Sequence, residues 1–499
     1  MRILNNIRWR WHMPRLLEPG HELIVGSTGT GKSRFVLYKI IQSLLHDLPL
    51  CYIDPKSETI QGLMAVFAGS KKGEELYERR KHRIIFLNPV SASDYVVGFN
   101  AIEPMAPFAD AHPDLVALTA NSIVSHIRRQ SGFEVGEANR MQNIMAAAIA
   151  TLVEGGRGLY TLAEIPFLFA QESYRGEKID PINPFVRSLL PRIKHYGTLS
   201  FWHQQWANWN LNDRKEWVQS TEGRIFQYLF DERFLHTVCT AENGNLDMRK
   251  VVNEGYWLFV TLPYYLMSDT VTTLLGNLII SKLFYACMQR GYGGRPYRLI
   301  VDEARFFNTG PLDTILETAN NYSFYLTLVV QNLEQMSRTA DGRVDYRLRD
   351  SVMANCRYFA AFNNATPTDK ELLADLMFPI TGQVVTGIRA SGDYEYLPTV
   401  AEQDEHRRRF SQLRKREVIL YDKLSGERAQ CWITPDVEID FPEMSKLTWF
   451  EGEHLRGTGR PTAQIRQEIA DRQAAILALF GEAASQPPAR KLGPPLFGG

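Results

Sequence analysis

Cysteine is scarce in this chain. Five residues (Cys51, Cys239, Cys287, Cys356, Cys431) are scattered over 499 positions, with no CxxC and no Cys/His pair at ligand spacing. That excludes a disulfide scaffold and a zinc module, and it suits reduced thiols in a cytoplasmic protein. An excess of one charge is also lacking. The 56 basic and 56 acidic residues cancel, so the overall field singles out neither nucleic acid nor membrane as a partner. No window supplies the roughly 18 uncharged apolar residues that cross a bilayer. The nearest, VTTLLGNLIISKLFYACM, carries Asn277 and Lys282 at helical periodicity and is expected to be a buried helix. The N-terminal stretch MRILNNIRWRWHMPRLLEPG is basic and aromatic, without the apolar core of a signal peptide. The expectation is a cytoplasmic protein with no transmembrane segment of its own, which would reach the inner face of a membrane only through a partner. No internal repeat is visible.

What is present is a phosphate grip. GSTGTGKS fits G-x-x-x-x-G-K-[ST], with the short apolar run HELIV before it and the helix-periodic SRFVLYKIIQSLLHD after it. Gly26, Ser27, Thr28, Gly29, Thr30, Gly31, Lys32 and Ser33 are the candidate nucleotide-binding residues. Glycines let the backbone curl its N–H groups around phosphate oxygens, and the helix N-terminus adds favourable potential. Lys32 would neutralise β/γ-phosphate charge, and the Ser33 hydroxyl would ligate Mg²⁺.

The buried-strand runs LCYID (50–54), RIIFLNP (83–89), GYWLFVTLP (255–263), YRLIVDEA (297–304), FYLTLVVQN (324–332) and RYFAAFNN (357–364) alternate with helical segments. This predicts an α/β core with a mainly parallel sheet. Between them, DLVALTANSIVSHIRRQ, NRMQNIMAAAIATLVEG and PFVRSLLPRIKHYG read as amphipathic helices. The domain expectation is therefore 1–104 and 246–400 as two parts of one nucleotide-binding domain, interrupted by an all-α domain at 105–245. Residues 401–499 would form a C-terminal region with a basic segment, a strand pair (EVILYDK, RAQCWIT), one helix and a flexible Pro/Gly-rich tail.

LIVDE ends a buried strand on two acids. Asp302 would hold the metal shell from a strand neighbouring the P-loop strand, and Glu303 would polarise the attacking water, which suggests hydrolysis. Gln331, closing FYLTLVVQ, would bond both γ-phosphate and water. Asp54, Pro55, Lys56 and Glu58 follow a strand expected beside the P-loop strand. They read equally well as nucleotide- or pore-facing groups and as solvated charges after a Pro-terminated strand.

The ordered set GSTGTGKS, YIDPKSE, LIVDEARFF, TLVVQNLEQM and VMANCRYFAAFNN resembles the type IV coupling proteins of conjugative DNA transfer, within the HerA–FtsK class of ring-forming DNA-pumping ATPases. GFNAIEP and GEANRMQNIM resemble parts of that family's helical insert, and the likeness runs over about residues 20–380. It implies a RecA-like core, a hexameric ring, ATP and Mg²⁺, DNA as partner, and relaxase or secretion-channel proteins as further partners. Carried over by position, Lys32 and Ser33 bind phosphate and metal, Asp302 and Glu303 run hydrolysis, and Gln331 is the sensor. One departure stands out. Asn320 and Asn321, in TANNYSF, occupy the region where many relatives have a trans-acting arginine. Arg305, Arg140, Arg224 and Arg233 are the candidate substitutes.

Two other functions fit the same residues: a helicase or translocase in repair, defence or phage packaging, and a nucleotide-gated docking platform with little turnover. EHRRRFSQLRKRE (405–417) reads as a phosphate-contacting helix or, with Glu402, Asp404 and Glu405, as a solvated face; the second is favoured. Trp202, Trp206 and Trp209 are expected in the helical core rather than stacking on bases. The tail-helix residues Ile465, Ile469, Ile476, Leu477 and Phe480 would dock on their own domain or on a partner.

Overall fold

The computed structural model describes residues 18–103, 113–130, 135–170, 182–241, 246–308, 312–337, 344–364, 366–388, 393–437 and 442–485. The N-terminal stretch before residue 18 and the tail beyond 485 lie outside them. The chain divides into two units: 1–98, 126–132 and 246–461, and 99–125, 133–245 and 462–499.

The first unit is built on a nine-stranded sheet. Its strands are β1 (Glu22–Val25), β2 (Leu50–Asp54), β3 (Ile84–Leu87), β5 (Trp257–Thr261), β6 (Tyr297–Val301), β7 (Phe324–Val330), β8 (Tyr358–Ala361), β11 (Glu417–Asp422) and β12 (Gln430–Ile433). Among the described residues there are also two small pairs, β4 (Tyr95–Val96) with β13 (Arg460–Pro461), and β9 (Val385–Ile388) with β10 (Tyr394–Tyr396). The sheet order is β12-β11-β8-β1-β7-β6-β2-β5-β3. From β8 to β3 all pairings are parallel. Strands covered on both faces read as continuous apolar runs, and β1, β2, β5 and β6 are buried at every residue. This is the predicted α/β sheet.

Register fixes what the strands deliver. Val25 stands opposite Val330 and Ala361, and Ile53 opposite Val301. The residues just past those positions, Gly26, Gln331, Asp302 and Asp54, therefore share one sheet edge. The order differs from expectation in two places. β7, not β6, lies beside β1, so the acid pair comes from the next strand but one. β2 is separated from β1 by β7 and β6. Strand adjacency is a long-range choice that runs of apolar residues do not encode.

The C-terminal region is not a separate segment. β11 adds antiparallel to β8 and β12 to β11, extending the main sheet. The helix Thr462–Ser485 belongs to the second unit, where Ile465, Ile469 and Ile476 are buried and Arg472 pairs with the buried Glu164 at 3.0 Å. That unit begins at Phe99 rather than 105. Its aromatic cluster holds Trp202 and Trp206 buried against Phe169 and Phe201, while Trp209, expected in the same core, is half-buried. The Trp202 indole N–H donates to Thr151 at 2.8 Å. The apolar helix Asp269–Arg290 is long enough to span a bilayer, but 83% of its apolar window is buried within the protein.

Candidate active site

β1 ends at Val25 and the chain turns at once. The Gly26 N–H donates to the Val330 carbonyl (3.3 Å) and that of Ser27 to Asn363 (2.9 Å). A Cβ on Gly26 would lie 2.5 Å from Phe362 Cβ, so only glycine fits against β8. Gly31 enters the helix Lys32–Leu45 at φ 116°, its Cα facing the Arg416 backbone. That helix has neither a side-chain cap nor an acid in its first turn, which leaves its leading N–H groups and dipole for an anion. Lys32 Nζ donates to the carbonyls of Gly26 and Ser27, holding the loop curled.

Asp302 and Glu303 follow β6. Asp302 is buried; its carboxylate accepts the Tyr52 hydroxyl (2.9 Å) and the Glu303 N–H (2.8 Å). Glu303 adopts a left-handed backbone, φ 45°, which turns its side chain out of the strand direction. One of its oxygens, Oε1, takes both the Lys56 ammonium and the Gln331 amide, the latter at 2.9 Å. Arg305 lies 3.5 Å from Oε2, which is buried and accepts no hydrogen bond.

Lys56 arrives through a built turn. Asp54, buried at the end of β2, accepts the N–H groups of Lys56 (3.0 Å), Thr59 (3.0 Å) and Ile60 (3.1 Å). Ser57 takes φ 62° before the helix Glu58–Gly69. The IDPK stretch is thus divided. Asp54 holds the turn, and Lys56 reaches the acid.

Burial pulls the Lys32 ammonium down to about 8; Asp302 and Glu303 oppose this and Lys56 adds to it. Burial pushes Asp302 upward, with Tyr52 opposing. Asp54 rises to about 7 through burial and the Asp302 charge, despite its three backbone donors. For Glu303 the upward push of burial is outweighed by Lys56, Gln331 and Arg305, leaving the carboxyl below its ordinary value. The donors that surround it stabilise its anion.

Thr28, Lys32, Ser33, Lys56, Asp302 and Glu303 line one open cleft of about 600 Å³. Tyr264, Tyr265 and Lys415 line it too, and none of the three was expected there. Lys415 and Arg416 belong to the stretch read as a solvated face. The Arg416 N–H donates to Thr30 O at 2.8 Å, so this segment lies against the P-loop. The only hint in the sequence is a basic pair directly before a strand. Elsewhere in the stretch Arg407 pairs with Glu371, and Arg409 covers Phe378.

Asn320 and Asn321 are exposed in a short helical turn ahead of β7. Of the candidate substitutes, Arg305 stands at Glu303, while Arg140 stacks on Trp217 and Arg233 pairs with Asp231 in the helical unit. Arg224 is in the same helical unit. Among the described residues no group of three or more His, Cys, Asp or Glu is placed to hold a metal ion. One hydroxyl and one carboxylate beside a phosphate grip is the hard-oxygen donor set that suits Mg²⁺, which takes much of its shell from phosphate and water.

No family model matches the sequence, and no curated protein does. Solved structures do match. The unbound bacterial conjugative coupling protein TrwB has a TM-score of 0.56 at 15% identity, covering 86% of this chain and 89% of that one. The plasmid coupling protein TrwB in complex with ADP and Mg²⁺ gives 0.54 at 14% identity, over 85% and 87%. Its complex with a non-hydrolysable ATP analogue gives 0.53 at 13%, over 86% and 88%. At these identities the likeness shows the fold: a RecA-like P-loop NTPase sheet with added helices.

Proposed function

We propose that this chain is an ATP-hydrolysing motor of the type IV coupling kind, which assembles as a hexameric ring and moves DNA, or DNA with bound protein, in conjugative transfer or type IV secretion. Lys32, Ser33, Asp302 and Glu303 lining one cleft, with Gln331 on Glu303, is the observation that carries the reading. The fold shared with a coupling protein solved with ADP and Mg²⁺ supports it. The chain would work on the cytoplasmic side, meeting any membrane through a partner such as a secretion-channel protein, with a relaxase as a further partner.

In this mechanism the P-loop N–H groups and the helix N-terminus hold the phosphates, and Lys32 turns from its own loop carbonyls to the β/γ oxygens. Ser33 and Asp302 would hold Mg²⁺, which when bound neutralises phosphate charge. Glu303 takes a proton from water as the water oxygen bonds to the γ-phosphorus and the bond to the β–γ bridging oxygen breaks. Gln331, already on Glu303, orients that water. Tyr52 keeps the Asp302 carboxylate turned toward the cleft edge.

The test is phosphate release with and without DNA. Wild type is expected to hydrolyse ATP faster with DNA, and a folded oligomer with no DNA-stimulated turnover overturns the motor reading. A second reading, a docking platform with little turnover, is favoured by Asn320 and Asn321 and by the engaged state of Glu303. It predicts bound ATP surviving for hours in the assembled protein.

A further inference from the structure

We propose that Lys56 is a two-position cation in this cleft. In one position it holds the Glu303 carboxylate. In the other it holds the terminal phosphate of a nucleoside triphosphate, which frees Glu303 to act as base and supplies, from the same chain, positive charge that the Ala319–Tyr322 turn does not. The inference rests on the nucleotide-hydrolysing reading above and assigns a part to a residue outside that mechanism.

Four observations carry it. The Lys56 ammonium is paired to Glu303, yet its side chain is 31% exposed while that of Glu303 is 5% exposed. The acid is fixed and the lysine has room to move. Second, Lys56 lines the same cleft as Lys32, Ser33 and Asp302, so its flexible four-carbon stem opens into the space that would hold the phosphates. Third, its backbone is pinned while its side chain is held only at the ammonium, by Glu303. Asp54 accepts the Lys56 N–H, and the turn continues into Ser57 at φ 62°. A pinned root with a partly exposed stem, tethered at its tip alone, is what a pivot needs. Fourth, the other cation at Glu303 is differently committed, since the Arg305 guanidinium stacks on Phe306 at 4.5 Å and Arg305 is not among the cleft-lining residues.

A carboxylate that accepts an ammonium and an amide on one oxygen is a poor proton acceptor, so this geometry holds back hydrolysis. A terminal phosphate carries more negative charge than a single carboxylate and competes for the ammonium. When the ammonium leaves, Glu303 keeps Gln331 on Oε1 but loses the cation that stabilised its anion, and becomes a better proton acceptor for water. A diphosphate lacks the group that draws Lys56 away, so the lysine distinguishes triphosphate from diphosphate.

The experiment compares wild type with Lys56→Gln, Lys56→Arg and Lys32→Ala, using fluorescent ADP and ATPγS in equilibrium titrations and steady-state ATPase. Lys56→Gln is expected to weaken ATPγS roughly tenfold or more while ADP changes less than about threefold, and to lower kcat more than it raises KM. Lys56→Arg should recover most of the triphosphate preference, and that recovery also serves if the Gln variant fails to fold. An unchanged ATPγS-to-ADP ratio in folded Lys56→Gln, or in Lys56→Arg a ratio lost as fully as in any charge-removing variant, overturns the proposal. Lys32→Ala separates the two readings, because it should weaken both nucleotides. A wild-type protein that binds neither overturns the nucleotide reading itself.

Discussion

The two ends of the same strands in the sheet unit carry opposite kinds of polar cluster. At the N-terminal end, Glu22 of β1 receives the fully buried Lys39 (2.5 Å to Oε1) and Thr327 (3.0 Å). Arg298 of β6 lies 3.8 Å from Glu22 and donates to Thr327 and to the carbonyls of Glu18 and Gly20. Glu22, Lys39 and Arg298 are all buried and paired. At the C-terminal end the charges face a cleft, Lys32 is spent on its own loop carbonyls, and one Glu303 oxygen accepts no hydrogen bond. A closed buried cluster loses stability when one partner is removed. An open cluster should lose chemistry and leave stability largely intact.

The largest break in that contrast is Lys32→Ala. It should abolish most nucleotide binding, lowering kcat/KM by about a hundredfold or more, while changing unfolding free energy by under about 0.5 kcal/mol. Calorimetric titration and urea melts read the two quantities. The reciprocal change, Lys39→Met, leaves the buried Glu22 only Thr327 and the more distant Arg298, and should cost about 3 kcal/mol in urea unfolding, while the folded fraction keeps its nucleotide affinity. If Lys39→Met leaves the urea midpoint unmoved, the closed cluster is not structural.

A third prediction uses pH. Burial, aided by the Arg298 charge, pushes His21 down to about 4; its Nδ1 accepts the Leu326 N–H. His454, also pushed to about 4 by burial, accepts the Tyr77 hydroxyl and donates to Ile84 O. Both rings are held neutral in the fold, and the unfolded chain takes up their protons. Their contribution is therefore complete above about pH 6.5 and is lost as pH falls toward 4, at roughly 2 kcal/mol per histidine by about pH 5. Urea melts at about pH 7.5 and pH 5 should show the loss, and His454→Gln should make the slope shallower. The smallest effect expected is Gln331→Ala, about tenfold in kcat with little change in ADP affinity, because the amide acts on Glu303 and water rather than on the diphosphate.

Much of this was legible in sequence, because the signals are local. Strands buried on both faces are continuous apolar runs, and the glycine spacing of GSTGTGKS and the acids closing LIVDE mark strand ends. What escaped is pairing at a distance. Nothing near residue 56 shows that its lysine meets a glutamate 247 positions later. Nor does EHRRRFSQLRKRE reveal that its last basic residues cross the P-loop, because that follows from β11 joining β8. The tail helix shows an apolar face, but which unit it covers depends on partners distant in sequence, Glu164 for Arg472 among them.

The most direct measurement is single-turnover hydrolysis by Glu303→Gln. With Mg²⁺ present, the variant should bind radiolabelled ATP as tightly as wild type and retain it uncleaved, with a rate lower by about a hundredfold or more. Cleavage at the wild-type rate would show that Glu303 does not accept the proton, and that the cleft joining Lys32 to the end of β6 is not where the chemistry occurs.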